Sequence, residues 1–140
     1  MNNNSNEPGE AVPKSESLGP EAGQPAPWTV PSALDELWVA GQSDVVLELV
    51  QLFLSDTADR LGRLREALGH SDFGEVRRMA HSIKGSCSQM GEDLMARLGK
   101  QLEDTAKAES HEESRNVLER LQRQFEASSR AMRVFLEKHA

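Results

Sequence analysis

The chain has 140 residues, enough for one domain, and a formal net charge of −7. That acidity excludes nucleic acid as the main partner, because a phosphate-binding surface needs clustered positive charge. Its single cysteine excludes an internal disulfide, and no run of about 18 apolar residues is present to span a membrane.

Residues 1–31 are rich in Asn, Ser, Glu, Gly and Pro, with Trp28-Thr29-Val30 as the first apolar cluster. Such a segment cannot bury enough apolar area to offset its ordering entropy, so a disordered tail is expected there. No basic stretch followed by an apolar core marks a secretory signal, and a cytoplasmic protein is expected. The domain is expected over residues 32–140.

Ser32 reads as an N-cap, Asp35 sits in the first turn, and Gly41 is a stop. Leu34, Leu37 and Trp38 share one face, which predicts a short lid helix. Ser43 is the next N-cap candidate, opening a helix over residues 43–68. Val46, Val50, Phe53, Thr57, Leu61, Leu64 and Leu68 step through it by three and four. Leu47, Leu49, Leu52 and Leu54 make its first half apolar nearly all round. That half is either buried on several sides or carries an exposed apolar patch.

Gly69-His70-Ser71 is a turn, after which Asp72 with Glu75 has the spacing of a capping box. The helix that follows carries Val76, Ala80, Ile83, Cys87 and Met90 as an apolar stripe, and Gly91 suits its left-handed C-terminal position. Glu92 and Asp93 open the next helix, with Leu94, Met95, Leu98 and Leu102 on its core face. Ser110 with Glu113 forms a second capping-box pattern, and the last helix carries Val117, Leu118, Leu121, Phe125, Ser128, Met132 and Phe135. Short connections force antiparallel neighbours. The expected fold is all-α: an up-down-up-down four-helix bundle with a short N-terminal lid helix.

The chemistry concentrates on one wet helix face. His70, His111 and His139 lie at turns or helix ends and read as solvated residues. No histidine pair has the spacing of metal ligands on a helix, and no acidic residue stands three before a histidine, so neither a metal site nor a cofactor is expected. Gly-x-Ser-x-Gly and glycine-rich phosphate loops are also missing. His81 differs by its neighbours. A neutral imidazole offers one ring nitrogen with a lone pair. Lys84, three residues on, can reach a phosphoryl group carried there. Gly85, at i+4, removes the side chain that would shield the ring, although glycine inside a helix costs about 1 kcal/mol. Arg77 and Arg78 make the preceding turn positive, and Ser88 keeps the following one small. The patch would suit docking by a partner with an acidic pocket.

The stretch Ala80-His81-Ser82-Ile83-Lys84-Gly85-Ser86-Cys87-Ser88-Gln89-Met90-Gly91 resembles the signature of histidine-containing phosphotransfer (HPt) domains. Phe53-Leu54-Ser55-Asp56-Thr57 resembles part of that family's second helix, and Leu98-Gly99-Lys100-Gln101-Leu102-Glu103 the segment after its signature. The resemblance spans about residues 32–138. It implies a phosphorelay carrier, not a self-sufficient enzyme: His81 the phosphoacceptor, Lys84 its electrostatic partner, Gly85 the access position. It implies docking by a response-regulator receiver domain and a sensor or hybrid histidine kinase, with Mg²⁺ supplied by the receiver. A monomer is expected, with Leu47, Val50 and Leu54 the expected apolar docking residues beside Arg77, Arg78 and Ser88. No kinase domain follows, so a stand-alone carrier is expected. Two rivals stay open: an interaction module that carries no phosphate, and a helical adaptor in which His81 is incidental. Some family members place a glutamine near Glu103; a carboxylate pointing at the site would repel a phosphoryl group, so Glu103 is given no site role.

Overall fold

The computed structural model describes residues 27–140. The described chain forms five helices: α1 (Ser32–Val39), α2 (Ser43–Gly69), α3 (Phe73–Gln89), α4 (Asp93–Lys107) and α5 (His111–Lys138). α2 packs on α3, α3 on α4, α4 on α5, and α5 returns to α2, so the four long helices close a ring; α1 lies against α2. Connections of three residues make each consecutive pair antiparallel. The all-α bundle expected from the periodicity is present.

The predicted stripes are its core. Val46, Val50, Phe53, Thr57, Leu61, Leu64 and Leu68 of α2 are buried, as are Val76, Ala80, Ile83 and Cys87 of α3, with Met90 just beyond it. Met95, Leu98, Leu102 and Ala106 of α4 and Val117, Leu118, Leu121 and Met132 of α5 complete the interior. Each large aliphatic side chain so buried contributes roughly 1.5–3 kcal/mol.

The four turns share one device. Backbone bonds run from Gln42 to Leu37, Asp72 to Ala67, Glu92 to Cys87 and Ser110 to Thr105, each N–H reaching five residues back. This is the Schellman arrangement, which requires a left-handed residue just before the donor. Gly41 (φ +86°) and Gly91 (φ +73°) supply it as expected, while Ser71 (φ 55°) and Glu109 (φ 54°) supply it with side chains, at roughly 1–2 kcal/mol each.

That device explains why the capping boxes close only halfway. Asp72 and Ser110 accept the backbone N–H of Glu75 and Glu113. Their own N–H groups are already spent on Ala67 and Thr105, so nothing is left for the returning glutamate. Glu75 turns instead to Arg78. The expected caps at Ser32 and Ser43 are corrected. Both serines are the first helical residues, and the cap positions are Pro31 and Gln42, neither with a side-chain cap. The Pro31 and Gln42 carbonyls take the first helical N–H groups in each case.

The expected tail also ends earlier than residue 31; its residues 1–26 lie outside the described part. Trp28 is buried, donates its indole N–H to the Met90 carbonyl at 3.0 Å, and meets Phe135 edge-on at 5.7 Å. Pro31 sits against Gly91, where an added Cβ would come within 2.9 Å of the proline ring. Residues 27–31 are thus an extended strap across the α3–α4 turn. Trp38 fills the adjoining corner against Phe135 and His139. No helix of the described residues is long and apolar enough to cross a membrane.

Candidate functional site

α3 turns its apolar stripe inward, which leaves the opposite face to solvent. His81 lies midway along that face with a side chain 67% exposed, flanked by exposed Arg77, Arg78, Gly85 and Ser88. An open cleft of about 650 Å³ lies beside it, lined by Gly74, Arg77, Arg78, Met79, His81, Ser82 and Glu103. Arg78 is tied to Glu75 at 2.7 Å. A Cβ added at Gly85 would meet nothing within 4 Å, so packing does not require this glycine.

α4 contributes the residue left out of the expected site. Glu103 spans His81 and Lys84: its Oε2 lies 3.0 Å from His81 Nδ1, and its Oε1 accepts from Lys84 Nζ at 3.1 Å. Burial pushes the Glu103 pKa up, but the hydrogen bonds and charges of Lys84 and His81 outweigh it and hold the carboxyl below its ordinary value. An ionised carboxylate can only accept, so the hydrogen between it and Nδ1 belongs to the ring. The neutral imidazole is therefore the Nδ1–H tautomer, with its lone pair on Nε2. Glu103, given no site role from the sequence, thus points at His81 and faces Nδ1, not Nε2. Antiparallel register carried the signal for this contact. From a turn centred near Gly91, His81 is ten residues back and Glu103 twelve forward, which differ in height by only about 3 Å.

The expected apolar docking residues fare differently. Val50 is fully buried and belongs to the core, and Leu47 and Leu54 are half-buried. The Arg60 guanidinium reaches Ser86 Oγ, which sets the register of α2 on α3. At 1.5 Å per residue Leu54 lies on the order of 15 Å, and Leu47 about 25 Å, along the bundle from the level of His81. The apolar residues that α2 does expose are Val45, Leu49 and Leu52, the last at 55%. The half-apolar start of α2 thus has both outcomes, one side buried and one side open. Its periodicity could not separate them, because leucines occupy both faces.

Of the other histidines, His70 is the exposed C-cap of α2, His111 Nε2 bonds the Leu68 carbonyl at 3.1 Å, and His139 meets Trp38 edge-on. No group of three or more metal-ligating side chains is clustered among the described residues.

The Hpt domain model matches residues 48–131. No curated protein matches. The crystal structure of histidine-containing phosphotransfer protein B (HptB) from Pseudomonas aeruginosa PAO1 is similar, with a TM-score of 0.71 and 26% identity over 78% of this chain and 95% of that one. The family model covers more than half of the chain, and the chain belongs to the Hpt domain family.

Proposed function

We propose that His81 is the residue on which this phosphorelay protein carries its phosphoryl group, and that Nε2 is the atom. The observation that carries this is the Glu103–Nδ1 bond, which leaves the Nε2 lone pair as the reactive end of a ring that is two-thirds exposed. The donor is a receiver-domain aspartyl phosphate. Nε2 attacks phosphorus, the N–P bond forms, and the O–P bond to the aspartate breaks, releasing its carboxylate. The ring keeps its Nδ1 hydrogen and becomes positive, and Glu103 faces that charge, much as a carboxylate supports an imidazolium in a catalytic triad. Lys84, already beside Glu103, supplies a cation to the phosphoryl oxygens. The remaining neutralisation falls to the receiver's Mg²⁺ and basic residue. Transfer to a second receiver aspartate reverses these steps. The protein acts as a carrier between kinase and receiver domains, in the cytoplasm. Its thiol, Cys87, is buried and pushed up to about 12 by that burial and by the Glu92 charge, so it takes no part.

Docking uses the cleft with Arg77 and Arg78, the low surface at Gly85 and Ser88, and the exposed Leu49 and Leu52 in place of Val50. A footprint of about 800 Å² per partner is close to 30 Å across, so it takes in both His81 and Leu52, about 20 Å apart along the bundle, when His81 lies toward one edge of it. The test is incubation with phosphorylated receiver domains. An acid-labile, base-stable label is expected on the wild type and none on His81→Gln. A label that persists in that variant, or no label from any donor, overturns the assignment.

A further inference from the structure

Glu103 can reach His81 and Lys84 only if α4 lies close to α3 at that height, and one residue governs that approach. Gly99 is buried on α4, one turn before Glu103 and on the same face. A Cβ built there would lie 3.2 Å from the Ala80 carbonyl oxygen, 3.3 Å from the Lys84 nitrogen and 3.4 Å from the Lys84 Cα. All three are backbone atoms of the turn that bears His81. None can rotate aside as a side chain could, so any larger residue moves one helix relative to the other. Alanine would otherwise favour the helix by about 1 kcal/mol, so glycine here trades helix propensity for proximity. The contrast with Gly85 is direct, since that glycine faces open space.

We infer that Gly99 is a positioning residue for phosphotransfer: it sets the α3–α4 spacing at Ala80–Lys84 that lets the Glu103 carboxylate hold His81 Nδ1 and Lys84 Nζ together. A side chain at 99 lifts α4 away from the turn. The bonds of 3.0 and 3.1 Å then lengthen in concert, and the ring loses the acceptor that selects its tautomer. Lys84 is affected twice, because its own backbone forms the contact. Gly99 touches no reacting atom, and its influence passes through Glu103. The inference therefore rests on the proposed role of that carboxylate.

The experiment compares wild type, Gly99→Ala, Gly99→Val, Glu103→Ala and the Gly99→Val/Glu103→Ala double variant. Imidazole ¹⁵N shifts of His81 report the tautomer, phosphoramidate serves as a small phosphodonor for uptake rates, and thermal melts report folding separately. Gly99→Val is expected to lose the Nδ1–H preference and to slow uptake at His81 about tenfold, matching Glu103→Ala, the scale of one charge-assisted hydrogen bond. The double variant is expected to be no slower than either single one, the non-additivity of two changes that act on one contact. A folded Gly99→Val with wild-type shifts and uptake, or losses that multiply in the double variant, overturns the inference. If Gly99→Val does not fold, Gly99→Ala is expected to shift in the same direction by less, and a wild-type spectrum from it is equally fatal. If Glu103→Ala itself keeps the wild-type tautomer, the role of Glu103 falls and the Gly99 inference with it. If only the Gly99 variants are silent, Glu103 stands and Gly99 falls alone.

Discussion

Two glutamates at the two ends of α4 have opposite fates. Glu103 lies at the wet α3–α4 face between two basic groups, and its carboxyl is held below the ordinary range. Glu92 caps the other end of the helix beneath the Trp28 strap and is 4% exposed. Its neighbours from the other elements are mostly neutral. Ser128 and Gln124 of α5 hydrogen-bond it and pull its pKa down, while Asp93 adds repulsion, but burial dominates and lifts it from 4.5 to about 7. Its Oε2 has no hydrogen-bond partner. One side-chain type is thus an anion bridging two basic groups at one end and a marginally charged structural group at the other. Partner charge and water access decide between the two.

The comparison breaks most severely at the strap. Trp28→Ala removes a buried indole and its bond to Met90, with an expected cost of about 3 kcal/mol in denaturant unfolding. It also admits water to Glu92, whose pKa should fall back toward 4.5 in a carboxyl titration followed by NMR.

Glu92→Gln probes the same end through pH. The folded-state pKa of Glu92 lies above its unfolded value, so its contribution is fully present below about pH 4.5 and is lost as pH rises to about 7. That shift corresponds to about 3 kcal/mol, and the amide should flatten this part of the stability profile and leave the variant more stable than wild type at pH 8. Glu103 has the opposite sign. Its pKa is lowered on folding, so its contribution is present above the ordinary carboxyl range and is lost as pH falls through the folded value.

Glu103→Ala should reverse the pattern of effects. Transfer from a phosphorylated receiver is expected to slow about tenfold, while stability at neutral pH changes by less than about 1 kcal/mol, the range of ion pairs that water still reaches. An equal loss of stability and rate would mean that Glu103 is structural.

The smallest expected effect, at Gly85, is a gain. Gly85→Ala fills open space and removes a helix penalty, so the melting point should rise by the equivalent of about 0.5–1 kcal/mol. The same methyl narrows access to His81, and transfer should slow.

These residues also mark how far the sequence could be read. Apolar steps of three and four named nearly every core residue of α2 to α5, because each helix buries one stripe. The glycines at 41 and 91 announced the left-handed residues of two turns, whereas Gly69-His70-Ser71 announced a turn without showing that Ser71 would be its left-handed residue, and Glu109 gave no sign. Trp28-Thr29-Val30 stood out as the first apolar cluster, yet composition set it within the tail. Its docking depends on a carbonyl 62 residues away, which no local pattern reveals. His81, Lys84 and Gly85 were legible because they share one helix. Glu103 was not, since its role depends on the height at which a second helix passes and on how closely Gly99 lets it pass. Val50 was named twice, in the periodic stripe and as a docking residue; the stripe placed it correctly, and its complete burial removes it from docking.

If Glu103 holds Nδ1, Nε2 is the atom left to carry the phosphoryl group. The direct measurement is ¹H–¹⁵N and ³¹P NMR of the ¹⁵N-histidine protein after transfer from a phosphorylated receiver. The expected result is ³¹P coupling to Nε2 of His81, with a proton retained on Nδ1. Coupling to Nδ1, or a phosphoryl group on any residue other than His81, would contradict it.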